Sequence, residues 1–120
     1  MANNAAFQAQ GQLNHVSVTG SASTPFQMAT PGSNSPANNA QAYAITNTST
    51  TLYVVAVLSA ASQNAAIPAA GTPGTPASNS HLVPPNTRIV VLGPPNAFVS
   101  FIGSGAGPTD VFIVAGEGMS

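Results

Sequence analysis

The chain has 120 residues and only three charged side chains, Arg88, Asp110 and Glu117, for a formal net charge of −1. A soluble domain is usually about one quarter charged, so Asn, Ser, Thr, Gln and the backbone must keep this surface wet. A single arginine excludes the basic footprint of a nucleic-acid binder, and the absence of cysteine excludes disulfides and thiolate metal sites.

Such a length suits one domain. Its core must come from 11 valines and five each of leucine, isoleucine and phenylalanine, because the 21 alanines add little volume. A net charge near zero favours association, which points to a building part rather than a catalyst. The opening residues lack the basic and apolar runs of a signal peptide. The longest apolar stretch, 52–58, falls far short of the ~18 residues of a membrane span. The expectation is a protein made in a reducing cytoplasm, without a membrane partner.

Residues 1–12 read as an N-terminal arm anchored by Phe7, and 13–120 as a single domain. Within it, 12–19 alternates Val16 and Val18 with polar neighbours, and 41–48 puts Tyr43 and Ile45 on one side. Residues 51–58, 88–92, 98–102 and 111–114 are nearly continuous apolar runs. These short runs are rich in β-branched and aromatic residues and bounded by Gly, Pro, Asn and Ser. They predict an all-β antiparallel sandwich or jelly roll with long Pro/Gly/Ser/Asn-rich loops.

Pro94-Pro95-Asn96 predicts a tight reversal between adjacent antiparallel strands, and Gly103 to Pro108 another before Val111. Residues 60–86 hold Pro68, Pro73, Pro76, Pro84 and Pro85 with short apolar pieces at Ile67 and Leu82-Val83. A connection this long crosses between sheets or forms a binding loop. A looser region, 21–40, carries Phe26 and Met28 in a possible short strand. Both faces of 52–58 are apolar, so the face turned from the core lies under a loop or against another subunit.

Catalytic readings fail on spacing. His15, His81, Asp110 and Glu117 come from separate segments without metal-ligand spacing. Asp110 and Glu117 are seven residues apart, over ~20 Å along an extended strand, too far for paired acid–base work. The Gly103–Gly107 run is followed by Pro108 and a strand rather than by the helix a phosphate loop requires. No Gly-x-Ser-x-Gly elbow occurs. The expectation is no enzyme activity, no metal and no cofactor, with Asp110 or Glu117 solvating a turn or pairing with Arg88.

Several segments carry a resemblance. The end of the chain runs Thr109-Asp110-Val111-Phe112-Ile113-Val114-Ala115-Gly116-Glu117-Gly118, an aromatic-containing strand with a Gly-acid-Gly tail. The opening Ala6-Phe7-Gln8-Ala9-Gln10-Gly11, the middle Tyr43-Ala44-Ile45-Thr46-Asn47 leading to Tyr53-Val54-Val55, then Ala66-Ile67-Pro68 and Pro85-Asn86-Thr87, belong to the same pattern. Together they resemble the head decoration, or cement, proteins of podovirus-like tailed phages. The resemblance implies a β-sandwich or jelly-roll subunit on the outside of the virion capsid. It would be a dimer or trimer that bridges neighbouring major capsid protein subunits, and it carries no catalytic residue.

The expected capsid or oligomer contacts are Phe7 in the arm, Ile67 and Leu82 in the long connection, and then Phe26 and Met28, each weighed against self-packing in the monomer. The rival readings are a tail, fibre or surface-adhesion module that binds a host glycan or receptor, and an ice-binding protein. The latter would need a Thr-x-Thr array, and Thr46-x-Thr48 stands alone.

Overall fold

The computed structural model describes residues 8–9, 13–28, 41–67, 71, 80–94 and 96–117. Among them are nine strands and no helix: β1 (Gln8–Ala9), β2 (Asn14–Val18), β3 (Phe26–Gln27), β4 (Gln41–Asn47), β5 (Val54–Ser59), β6 (Ser80–Val83), β7 (Thr87–Gly93), β8 (Phe98–Gly103) and β9 (Thr109–Glu117). All pairs are antiparallel. In sheet A, β1 and β2 lie on β9, followed by β4 and β7; sheet B runs β3-β8-β5-β6. The fold is an all-β sandwich.

The pairing is nested. β2 meets β9, β3 meets β8, β4 meets β7 and β5 meets β6, while β4–β9 and β5–β8 complete the two sheets. Every connection from β2 onward therefore crosses between sheets except the one from β5 to β6. This reverses two sequence expectations. Pro94-Pro95-Asn96 and the Gly103–Pro108 segment carry the chain from one sheet to the other, not between adjacent strands. Of the two readings of the long connection, the crossing fails: the chain leaves β5 and returns as β6 in the same sheet.

The reason is local. A Pro-Pro-Asn tripeptide stands at both ends of β7. Prolines donate no N–H to a ladder, and Asn86 and Asn96 take left-handed φ of 53° and 52° that turn the chain out of its sheet. The Asn86 amide donates to the Ser49 carbonyl at 2.7 Å.

Alternation along each strand fills the space between the sheets. Tyr43, Ile45, Val54, Leu58, Phe101, Val111 and Ile113 are completely enclosed, each contributing on the order of 1.5–3 kcal/mol by burial. Where Tyr43 crosses the end of β7, a Cβ on Gly93 would sit 3.2 Å from the ring, so glycine makes room for it. Asn47 is the polar exception in this interior. Its amide nitrogen faces the carbonyls of Leu52 (2.9 Å), Val83 (3.2 Å) and Pro84 (3.2 Å), and its Oδ1 accepts from the Ser49 amide at 2.9 Å. With two N–H bonds for three acceptors, this one side chain ties the β4–β5 and β6–β7 crossings together.

Candidate contact surfaces

The outer face of sheet B is built from the second face of β5. Val55 lies between Leu82 of β6 and Ile102 of β8, and Val57 between Ser80 and Ser100. Val55 and Val57 are buried within the single chain, and the segment 60–67 accounts for it. The Ala65 amide donates to the Ser100 hydroxyl at 3.0 Å, and that hydroxyl donates to the Ser23 carbonyl at 2.8 Å. Of the two expectations for this face, the loop is the one realised.

Cover by the described residues stops short of the β6 edge. There a groove of about 500 Å³ opens, walled by Val55, Ile67 and Leu82, with Tyr53, Pro84 and Pro85 at one end. Leu82 is 59% exposed. Among the described residues no strand pairs with the outer side of β6, and Pro84 and Pro85 end its run of donors. Among the described residues its lining holds no carboxylate, lysine or arginine, and Tyr53, Ser80 and His81 are its polar members. His81 pairs with Ala56, and its Nε2 is buried without a partner. Burial holds its pKa below the ordinary 6.5, because the charged ring would lose its water. The described lining of the groove is mainly apolar and carries no formal charge.

The five residues singled out by sequence separate here. Ile67 and Leu82, fifteen positions apart, come together in the groove. Phe26, in β3 opposite Val99, packs partly buried against the core. Met28 is 2% exposed and receives a hydrogen bond from the Asn14 amide at 3.4 Å. It serves the core, and that burial corrects the expectation of a contact. Phe7 lies outside the described residues. Sequence reading missed Tyr53, Pro84 and Pro85 as groove residues, because their meeting depends on the β4–β5 and β6–β7 crossings converging.

The outer face of sheet A was also missed. Register aligns Arg88, Thr46, Phe112 and His15 in one row across β7, β4, β9 and β2. Val90, Ala44 and Val114 form the next row, and Leu92, Ala42 and Gly116 the one beyond. Leu13, next to the start of β2, is 64% exposed and Leu92 is 51% exposed. At the other end the Asp110 carboxylate lies 2.9 Å from His15 Nε2. The imidazole stacks on Phe112 with ring centres 4.6 Å apart. The alternation in β7 was the available signal, since Ile89 and Val91 point inward while Val90 and Leu92 point out.

Among the described residues no three His, Asp or Glu side chains converge as a metal site. No protein-family model and no curated protein matches the chain. Its fold is similar to a solved structure of Bacillus endospore appendages, described as a family of disulfide-linked pili, at 15% identity and a TM-score of 0.53. The alignment covers 100% of this chain and 96% of the other.

Proposed function

We propose that the protein is a structural virion subunit that binds the outside of an icosahedral phage head and bridges neighbouring major capsid subunits. The observation that carries this reading is the apolar groove around Ile67 and Leu82, beside an edge of β6 that no described strand pairs with, in a chain with three charged residues. Each contact of this kind contributes about 25 cal/mol per Å² of apolar surface removed from water. Repetition over a closed lattice turns weak single contacts into firm attachment. No step of this function calls for catalysis.

The test is rebinding to heads stripped of the protein. Leu82→Glu and Ile67→Asp place a carboxylate in the contact and abolish rebinding while the isolated variants keep the parent's melting behaviour. Attachment of the parent protein persists at about 1 M salt, because screening acts on charges. Loss of attachment in salt, or full rebinding by both variants, would sink the reading.

A second reading is a self-assembling fibre, favoured by the full-length fold likeness to the endospore appendages. Those are described as disulfide-linked, and this chain has no cysteine, so any such polymer would be non-covalent. Negative-stain microscopy of the purified chain separates the two, with filaments from the protein alone favouring the fibre.

A further inference from the structure

We propose that β7 is a pairing edge for a second copy of this chain. Two β7 strands meet antiparallel across a two-fold axis at Val90, and sheet A runs on from one copy into the other. The groove opens on the outer face of sheet B, so the inference stands or falls independently of the capsid reading.

Burial is the first argument. Ile89 and Val91 point into the sandwich, paired with Ile45 and Tyr43 of β4. On the inner strands β4 and β9 the large residues of this face are sealed: Tyr43, Ile45, Val111 and Ile113 are 0% exposed. Ile89 and Val91 pack against the same core but are only partly buried. Among the described residues no strand pairs with the other side of β7, which leaves the edge as their route to water. A strand laid there covers that apolar surface and gives the free N–H and C=O groups of β7 their partners.

Length decides which strand can do so. Among the described strands, β3 has two residues, β6 has four and runs into Pro84-Pro85, and the far edge of sheet A is divided between β1 and β2. β7 has seven residues, no proline, and an unbroken register with β4 from Thr87 to Gly93. Edge strands that avoid association carry lysines, prolines or bulges, and β7 has only Arg88 at its start. Its best match is a second β7. With the axis at Val90, Val90 faces Val90 and Ile89 faces Val91 of the other copy, β-branched pairs of the kind that stabilise neighbouring strands. Arg88 stands opposite Leu92, so the two arginines lie about 13 Å apart along the strands and no like charges meet.

The edge measures about 23 Å along seven residues and about 20 Å across two layers with their side chains. That is on the order of 500 Å² per copy, the lower limit of a specific interface, so the pair is reversible rather than permanent.

A cross-link tests the geometry without native cysteines to confuse it. Directly opposed residues of an antiparallel pair have Cα atoms ~4.5–5.5 Å apart, inside the disulfide range. On mild oxidation Val90→Cys is expected to form a covalent dimer about tenfold faster than Leu13→Cys, an exposed position beside β2 that the pairing keeps apart. Sedimentation of the parent chain at about 100 μM shows the same dimer. Val90→Lys sets two ammonium groups face to face and raises the dissociation constant about tenfold, while mixing it with Val90→Glu restores the dimer. An unfolded variant cannot be recovered by mixing, so the mixture separates lost pairing from lost fold. A monomeric parent chain overturns the proposal. So does Val90→Cys that links no faster than Leu13→Cys, or Val90→Lys that still dimerises by itself. Filaments of the parent chain overturn it as well, because the closed pair hides both β7 edges and cannot propagate.

Discussion

The Tyr43 hydroxyl donates to the Pro94 carbonyl at 2.6 Å, and from this position it also accepts the Ala97 amide at 3.2 Å. One phenol on a central strand of sheet A thus holds both sides of the crossing that carries the chain from β7 to β8. Burial raises its pKa above 10, with the Ala97 hydrogen bond working weakly against that shift. Tyr43→Phe keeps the ring and leaves Ala97 N–H, a buried donor, without its partner. The expected loss is about 1–3 kcal/mol in urea unfolding. At alkaline pH the parent protein should also lose stability as pH rises past 10, where the unfolded phenol ionises and the folded one resists. The Phe variant should lack that component.

Ser100 offers a different kind of test, of local opening rather than global stability. Its hydroxyl ties Ala65 of the covering segment to Ser23 of the β2–β3 crossing. Ser100→Ala should free the Ala65 amide and expose Val55 and Val57. Hydrogen exchange over residues 60–67 should speed up by about tenfold or more, given roughly 1–2 kcal/mol per lost buried hydrogen bond. Exchange in β4 should stay unchanged. Equal acceleration in both places would mean that the segment is not a separate cover.

His81 predicts an acid-side weakness. Its folded pKa is lowered by burial, so the unfolded chain takes up a proton first. Stability is therefore present above the ordinary 6.5 and falls as pH drops from there through the lowered folded value. Melting temperatures at pH 7.5 and 5 should show the drop, and His81→Val should flatten it over that window. An identical pH dependence in the variant would assign the effect to other groups.

Apolar runs made six strands readable in advance, because Val16, Tyr43, Val54, Ile89, Phe101 and Ile113 each sit in a short run rich in β-branched or aromatic residues and bounded by turn-formers. β6 escaped notice, since Ser80 and His81 precede its only apolar pair, Leu82-Val83; its place comes from pairing with β5. Which sheet each strand joins was not legible either. Pro94-Pro95-Asn96 announces that a strand ends, but a left-handed Asn and a tyrosine hydroxyl from another strand decide where the chain goes next. Met28 shows the same gap. An isolated methionine in a polar stretch has no periodicity, and only the approach of β3 to β8 reveals it as core. Sequence could single out Ile67 and Leu82, though not their meeting in one groove, while the sheet A face needed register to align its rows.

The nested pairing has a consequence for how the molecule comes into being. β9 carries β1, β2 and β4, yet it follows all the other described strands in the chain, and among the described residues β2 pairs with no other strand. The earliest and latest parts of the chain must find each other before sheet A exists, a high-contact-order topology expected to fold in milliseconds to seconds. A nascent chain stopped before Thr109 lacks the strand that carries Phe112 and Val114, so it cannot display the finished outer face. Until β9 is in place, β4 and β7 are the only described strands of sheet A that can pair with each other, so the sheet grows from its β7 side toward β2.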